Sequence, residues 1–210
     1  MQLRRADVLN GAMAILDEYG LADLTMRRLA TSLDVQPGAL YWHFPNKQTL
    51  LGAMADRIVE DVDATDGLSE EWSERLTGLA RRLRSALLTH RDAAELVSAT
   101  YASRMTNSRV RESFAGAAAL SGLRPEHAEL ASYSLLYYVL GHTVDEQSHT
   151  QMAAVGALTR DSIAPGAPES ALADYDDDLQ AGDPDTRFDF GLTLFVDGIR
   201  TRLKDSAPHH

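Results

Sequence analysis

Residues 24–47 read LTMRRLATSLDVQPGALYWHFPNK, and they contain two short helical patterns on either side of a tight turn. In the first pattern, apolar residues recur at the three- and four-residue spacing of one helix face: Met26, Leu29, Ala30 and Leu33. Thr25 precedes them, where its hydroxyl can accept a hydrogen bond from an otherwise unpaired amide of the first turn. Asp34 and Val35 then interrupt the pattern. The segment therefore predicts a short helix that starts after Thr25 and packs one apolar face against the rest of the protein.

The second pattern, residues 36–44, is unusual for a helix that is buried in a core. Pro37 suits the first turn, where its missing N–H is not needed. Two small residues and an aromatic cluster follow it: Gly38, Ala39, Tyr41, Trp42, His43 and Phe44. Such a helix can bring its small tip close to base edges in a DNA major groove, while Tyr and His side chains donate to phosphates. The pattern thus indicates a DNA-reading helix, although Phe44 and part of Trp42 could instead be core aromatics.

This segment supplies two sets of candidate DNA contacts. Arg27 can pair with a guanine, and the apolar surfaces of Pro37 and Ala39 can meet thymine methyl groups. The residues expected near base edges are Arg27, Gln36, Pro37, Gly38 and Ala39. Those expected on phosphates are Thr25, Tyr41, Trp42, His43 and Lys47, and Met26 is also counted in the interface.

Residues 40–51, LYWHFPNKQTLL, and the helix-turn-helix pattern that contains them resemble the TetR family of bacterial repressors, the tetracycline repressor class most of all. The resemblance runs along nearly the whole chain but is strong only in residues 1–60. It implies a homodimer with two reading heads on a palindromic double-stranded DNA operator, which a small-molecule effector releases by spreading the heads. A transcriptional repressor is thus the expected function. An activator, or a repressor whose ligand is a co-repressor, is the alternative within the same family.

Composition favours an all-α, cytoplasmic protein without bound cofactors. The chain has 210 residues and no Cys, which excludes disulfides and thiolate metal sites. No apolar run approaches the roughly 18 residues of a membrane span, and the N-terminal residues MQLRRADVLNGAM lack a signal-peptide pattern. Pro is sparse, Ala and Leu are plentiful, and β-branched runs are missing. No Gly-rich phosphate loop or Ser-His-Asp spacing is found, so we expect neither a cofactor nor an enzymatic activity.

The net charge of −11 argues at first against a nucleic-acid partner. Its distribution removes the conflict, because residues 1–47 carry five basic and five acidic side chains. The other 15 basic and 26 acidic residues follow that segment. The acidic surface can therefore face away from DNA, and a near-neutral reading head predicts few phosphate contacts and a weak salt dependence per subunit.

Hydrophobic spacing predicts helices in three regions: an N-terminal helix-turn-helix domain of three helices, a connecting helix, and a C-terminal helical domain, residues 1–47, 48–63 and 64–210. The resemblance implies that the C-terminal domain binds the ligand and dimerises. Gly20 is expected to stop the first helix, Arg4 to Tyr19, and Asn46 to cap a helix that runs to about Asp63. Later helices are expected near residues 72–90, 92–104, 108–120, 125–149, 170–180 and 186–203.

Two of these helices, 125–149 and 186–203, carry broader apolar faces than a small core needs. The resemblance implies that they form a four-helix bundle with their twins in a second subunit. The alternative is that both are ordinary core helices. We therefore predict a homodimer through these two segments.

For the effector pocket, the resemblance gives positions rather than matching residues. Aligned on RDAAELVSAT, residues 91–100, the family's metal-binding His falls on Val97 and a drug-binding Asn near Leu79. A Glu of the other chain falls on Asp145, and a drug-binding His falls near Asp63. An aromatic residue falls on Leu83, and an Arg-Pro pair falls on Tyr101-Ala102. Without the His and the Asn, a magnesium–tetracycline chelate loses the contacts that hold it, so tetracycline is not expected as the effector. We expect a bulky, partly aromatic small molecule, in a pocket drawn from Asp63, Leu79, Leu83, Val97, Thr100, Tyr101, Phe114, Tyr137, His142 and Asp145.

A second functional hypothesis is a helical enzyme or a metal-binding bundle. His142, Asp145 and His149 share one helix face, and such spacing can hold zinc or a di-metal centre. The alternative is a set of polar residues at the end of a helix. We favour that alternative and predict no metal site, because the Glu146-x-x-His149 motif occurs only once and a di-metal bundle needs two.

Overall fold

The computed structural model describes residues 3–64, 67, 69–106, 109–155 and 183–205. Regular secondary structure in these residues is helical throughout, which confirms the predicted all-α fold. The helices in this part of the chain are α1 (Arg5–Tyr19), α2 (Met26–Ser32), α3 (Pro37–Tyr41), α4 (Lys47–Ile58), α5 (Trp72–Leu88), α6 (Ala93–Ala102), α7 (Val110–Ala119), α8 (Pro125–Ala154) and α9 (Pro184–Asp205). They form two compact units, residues 1–144 and 145–210, and α8 continues from the first into the second.

Helices α1 to α4 form the N-terminal part of the first unit. α1 packs against α2 and α4, and α2 packs against α3. The apolar face of α1 is buried as its spacing predicts, with Val8, Ala12, Ile15 and Leu16 all inside. Leu29 of α2, Leu40 of α3 and Met54 of α4 are also fully buried. This core fixes the orientation of the short helix α3, which is too brief to be stable alone.

Three predicted helix ends in this part, at Thr25, Asn46 and Gly20, are confirmed by their capping contacts. The amide of Arg28 donates to Thr25 Oγ1 at 3.1 Å, and the amide of Thr49 donates to Asn46 Oδ1 at 2.8 Å. Gly20 ends α1 at φ +86°, a backbone angle that residues with a Cβ rarely adopt. Each cap satisfies a backbone group that a helix terminus leaves unpaired.

Helices α5, α6 and α7 and the first part of α8 complete the first unit. α5 packs against both α6 and α7. Its apolar stripe is buried, as are large side chains of its neighbours: Leu76, Leu79, Leu83, Leu87, Val97, Phe114, Leu136 and Val139. This second apolar core contains four of the residues that the sequence analysis expects in the effector pocket, Leu79, Leu83, Val97 and Phe114.

Two helices end at different places from those predicted. The helix after Asn46 ends at Ile58 and not near Asp63, because Val59 and Val62 are buried through a turn in which the amide of Val62 donates to the carbonyl of Val59. Asp and Val are weak helix formers, so little helix propensity opposes this turn. α8 extends to Ala154, beyond the predicted end at residue 149, since Gln, Met and Ala residues there sustain a helix.

In the second unit, the structure describes the end of α8 and helix α9. α9 begins earlier than predicted because Asp183 caps it, with the amide of Asp185 donating to Asp183 Oδ1 at 2.7 Å and Pro184 in the first turn. Its buried residues are spaced along one face: Phe188, Leu192, Val196 and Ile199. The short helix predicted near residues 170–180 lies outside the described residues. No described helix is both long enough and apolar enough to cross a membrane.

Candidate DNA interface and effector cavity

The turn between α2 and α3 presents α3 at the surface of the N-terminal part. Asp34 occupies the left-handed region at φ +53°, where Asp is tolerated better than bulkier residues. Gln36 precedes α3 in an extended conformation, and its side chain makes no capping hydrogen bond. Pro37 takes the first helical position, as predicted. The Gln36 side chain is not used in the turn and remains exposed, and so does the small residue Gly38 at the tip of α3.

α3 divides its aromatic cluster between the core and the solvent. Leu40 and Phe44 are fully buried, so the core interpretation of Phe44 is correct. Trp42 is 90% exposed and Tyr41 is 48% exposed, so neither ring is a core residue. No atom outside the local backbone lies within 4 Å of the Cβ position at Gly38. The outer face of α3 is therefore a small-residue tip followed by two projecting rings with polar ends.

The other predicted DNA-contacting residues also lie at or near the surface. Thr25, Arg27, Gln36 and Pro37 are exposed, whereas Met26, Ala39, His43 and Lys47 are half-buried. Thr25 and Arg27 share the wall of a groove of about 590 Å³ between α1 and α2. Lys47 opens α4 directly after its cap, at a helix N-terminus that favours an anion such as a phosphate.

Two of the basic residues in this part are engaged within the protein. The Arg28 guanidinium pairs with Asp23 at 2.9 Å and lies 4.3 Å from the centroid of the Tyr19 ring. The Arg5 guanidinium lies 4.4 Å from the centroid of the buried Phe44 ring. Arg27 and Arg28 are adjacent in sequence, but Arg27 is exposed, whereas Arg28 is half-buried and paired with Asp23. The geometry thus separates a structural arginine from one that can reach DNA.

Helix α4 connects the N-terminal part to the end of α6 through a very close contact. A Cβ added at Gly52 would lie 2.3 Å from the carbonyl oxygen of Met105, so only glycine fits there. One turn further along α4, the Thr106 hydroxyl donates to Asp56 Oδ1 at 2.6 Å. No local sequence pattern indicates this contact, because Gly52 looks like an ordinary small residue inside a helix.

The turn before α6 makes a second connection, to the end of α1. The amide of Leu21 donates to Asp92 Oδ2 at 2.8 Å, and His90 Nδ1 lies 2.9 Å from Asp17 Oδ1. A Cβ at Gly20 would lie 2.6 Å from the same Asp92 oxygen. The α5–α6 turn is thereby joined to the end of α1, and the residues after α6 are joined to α4.

The residues predicted for the effector pocket divide into three groups. Four of them are fully buried side chains in the apolar core: Leu79, Leu83, Val97 and Phe114. Thr100 is buried as well, and its hydroxyl donates to the Val97 carbonyl at 2.8 Å. Asp63 lies half-buried in the turn after α4, His142 is half-buried on α8 beside the Tyr138 ring, and Asp145 is exposed on the second unit. Tyr101 and Tyr137 line a cavity.

That cavity has a volume of about 600 Å³, within the range of small-molecule sites. Its wall is formed by Tyr101, Ala102, Arg104, Thr106, Arg111, Glu112, Tyr133, Leu136 and Tyr137. Sequence reasoning missed the charged members, because arginines at helix ends are usually solvated and carry no periodic signal. Thr106 lies both on this wall and in the contact with α4, so one residue connects the cavity to α4.

Most charges at the cavity have a partner of opposite sign. Arg111 forms an ion pair with Glu129, and its guanidinium lies 4.8 Å from the centroid of the Tyr133 ring. Arg109 Nε donates to Glu112 at 2.8 Å, and this hydrogen bond lowers the pKa of the Glu112 carboxyl. Glu112 is therefore ionised at neutral pH. In the described residues, no group of three His, Asp or Glu side chains is placed to hold a metal ion, which includes the His142, Asp145 and His149 cluster.

Comparison with known proteins identifies both parts of the chain. Residues 8–54 match the family described as "Bacterial regulatory proteins, tetR family", and residues 66–203 match "Tetracyclin repressor-like, C-terminal domain". The chain is 33% identical to the tetracycline repressor protein class A from transposon 1721 of Escherichia coli, over 96% of this chain and 92% of that protein.

Solved structures give the same result. The chain resembles BioQ of Mycobacterium smegmatis at 45% identity and a TM-score of 0.79, covering 94% of this chain and 98% of that one. It also resembles BioQ solved with its natural double-stranded DNA operator, at 42% identity and a TM-score of 0.74, covering 94% and 98%. The chain therefore belongs to the tetR family of bacterial regulatory proteins.

Proposed function

We propose that the protein is a ligand-responsive transcriptional repressor that binds a palindromic DNA operator as a homodimer and is released by a small-molecule inducer. The observation that carries this proposal is the outer face of α3. Gly38 is unobstructed there, and Tyr41 and Trp42 project into solvent while Leu40 and Phe44 anchor the helix. A buried anchor with exposed polar-ended rings suits a helix that enters a major groove.

In this proposal, the DNA contacts are those expected from the sequence. Arg27, Gln36, Pro37, Gly38 and Ala39 lie near base edges. Thr25, Tyr41, Trp42, His43 and Lys47 contact phosphates, with Met26 beside them. Residues 1–47 serve as the reading head, 48–63 connect it, and 64–210 bind the effector and dimerise. Since the operator is bacterial DNA, the function places the protein in the cytoplasm.

Dimerisation through segments 125–149 and 186–203 is supported by large apolar side chains that stay exposed on each. Leu130 on α8 is exposed, as are Phe190 and Leu194 on α9, which lie four residues apart on one helix face. Covering them with a second copy removes apolar surface from water. The two reading heads of a two-fold dimer then meet half-sites about 34–36 Å apart.

Effector control is supported by two connections at the ends of α6: the residues after it contact α4, and the turn before it contacts the end of α1. A ligand in the 600 Å³ cavity touches the residues that follow α6, and Thr106 among them binds Asp56 of α4. A ligand that prefers one position of this segment thus shifts the position of α4 and of the head. The preference of the ligand for one state over the other sets how far it shifts DNA binding.

Replacing Arg27 with alanine is expected to flatten the preference of the protein among operator variants, because a bidentate Arg–guanine pair contributes about 1–3 kcal/mol of discrimination. Relative affinities for a library of single-base operator variants would measure this. Arg28→Ala is the matched control, since Arg28 is held by Asp23 and should affect stability more than specificity. If Arg27→Ala lowered the affinity for every operator variant equally, the proposal that Arg27 reads a base would be wrong.

Tetracycline with Mg²⁺ is expected neither to bind this protein nor to release it from its operator. Leu79, Leu83 and Val97 occupy the aligned positions as buried apolar side chains, and none can supply the oxygen or nitrogen contacts that the chelate needs. The measurement is tetracycline fluorescence in the presence of Mg²⁺, with the class A tetracycline repressor as the positive control. Saturable one-to-one binding to this chain would contradict the prediction.

The proposed function is tested by selecting bound sequences from random DNA and by a mobility shift on the DNA upstream of the gene, at two salt concentrations. An enriched palindrome, bound by a dimer against competitor DNA, is the expected result. Absence of any enriched sequence would overturn the proposal. A ligand that strengthens the shift would instead identify a co-repressor.

A further inference from the structure

Arg104 is the distinctive charge of the effector cavity. It follows the C-terminal end of α6 at φ +54° and contributes to the cavity wall. Within the described ranges, no carboxylate lies at ion-pair distance from its guanidinium. In a chain with 31 acidic and 20 basic residues, a cation without such a partner in a cavity is a specific feature.

The other ionic groups of the cavity do not offset this charge. Arg111 is neutralised by Glu129, and Glu112 is neutralised by Arg109. These two pairs leave Arg104 as an excess positive charge on the wall. Its guanidinium offers a planar set of N–H donors that fits the two oxygens of a carboxylate or a similar oxyanion.

Aromatic surface faces the same space. The rings of Tyr133 and Tyr137 are stacked, with centroids 6.4 Å apart and planes inclined by 27°. The Arg111 guanidinium lies over the Tyr133 ring, 4.8 Å from its centroid. Tyr101 contributes a third aromatic side chain to the wall. Such a wall suits a flat ring, which gains contact area at little entropic cost.

We propose that the effector is a small organic anion, with an oxyanion headgroup bound by Arg104 and a planar ring system packed against Tyr101, Tyr133 and Tyr137. This inference rests on the proposed function, because it names the ligand class of the same cavity. It separates this protein from a magnesium–tetracycline sensor, whose ligand is bound through a metal. Neutral molecules of the same shape bind the aromatic wall alone and more weakly.

The test uses two fluorescent probes that share a ring skeleton and differ in charge: 1-anilinonaphthalene-8-sulfonate and the uncharged N-phenyl-1-naphthylamine. Each is titrated into the wild-type protein, the Arg104→Gln variant and the Arg104→Lys variant. Gln has a long unbranched side chain as Arg does, so the backbone at φ +54° is no more strained. Arg124→Gln is the matched control, because it removes one exposed positive charge that pairs with Glu126 away from the cavity.

We expect Arg104→Gln to weaken sulfonate binding about tenfold, the usual loss for one charge-assisted hydrogen-bonded contact at a partly hydrated site. Arg104→Lys should retain part of the affinity, and Arg124→Gln and the neutral probe should show no change. The inference is overturned if the sulfonate does not bind saturably, or if Arg104→Gln binds both probes as the wild type does.

Operator binding is measured on the same variants, and it separates the two levels of the proposal. Arg104 lies outside the reading head, so Arg104→Gln should retain operator binding. Normal operator binding without a charge-dependent probe effect would reject the anion site but would still support the proposed repressor function. A charge-dependent probe effect without any DNA sequence preference would support the anion site and reject the repressor.

Discussion

Replacing Trp42 with alanine is expected to weaken operator binding about 100-fold without changing the melting temperature. The indole ring is 90% exposed, so the fold loses almost no packing when it is removed. In the proposed interface, each reading head loses a donor to a charged phosphate, a contact that contributes roughly 1.5–3 kcal/mol, which is about tenfold or more in affinity. Both heads of a dimer lose it together, and independent losses add. Fluorescence anisotropy with labelled operator measures the affinity, and thermal unfolding measures the stability.

Phe44→Ala is the paired control, and it should show the opposite result. Phe44 is fully buried two residues away, so its truncation should cost about 3–5 kcal/mol of unfolding free energy, as Phe-to-Ala changes in cores do. Urea unfolding measures this loss. If Trp42→Ala lowered stability like Phe44→Ala, or bound DNA like the wild type, the assignment of α3 as the reading helix would be wrong.

Replacing Gly52 with alanine is expected to lower the unfolding free energy by about 1–3 kcal/mol, the usual cost of overpacking. The added methyl group would lie 2.3 Å from the Met105 carbonyl oxygen, and backbone atoms cannot move aside as a flexible side chain can. The variant should also bind operator differently, because the contact joins α4 to the segment that lines the effector cavity. Urea unfolding and operator titration measure the two effects.

Gly78→Ala provides the comparison. Gly78 lies inside α5 with no atom within 4 Å of its Cβ position, so alanine should stabilise the helix by about 0.5–1 kcal/mol. Operator binding should be unchanged. Equal stability of Gly52→Ala and Gly78→Ala would show that the α4–α6 contact is looser than the geometry indicates.

The sequence predicted what depends on neighbouring residues. Thr25 and Asn46 cap helices because the amides that they bind lie three residues away in the chain. Gly20 ends α1 for an equally local reason, its backbone angle. The apolar faces of α1 and α5 followed from spacing alone. These features required no knowledge of the tertiary structure.

Features that depend on distant residues were not predictable in this way. Periodicity marks a side chain as apolar but does not say whether it faces packed core or a cavity, so Leu79 and Phe114 were grouped with Tyr101 and Tyr137 although only the tyrosines line the space. Gly52 is constrained by a carbonyl 53 positions later in the chain. Arg104 is notable only because no carboxylate among the residues that the structure describes pairs with it.

Arg5 and Arg28 contact other side chains of the protein, and this affects how the protein finds its operator in a genome. Cations that are stacked on rings or paired with a carboxylate release few counterions when the head meets arbitrary DNA, so its sequence-independent affinity stays low. A regulator of this kind is sequestered less by the millions of competing sites on a chromosome. Fewer copies per cell then suffice to keep one operator occupied, and an inducer has to empty only a small population of molecules to switch the gene on.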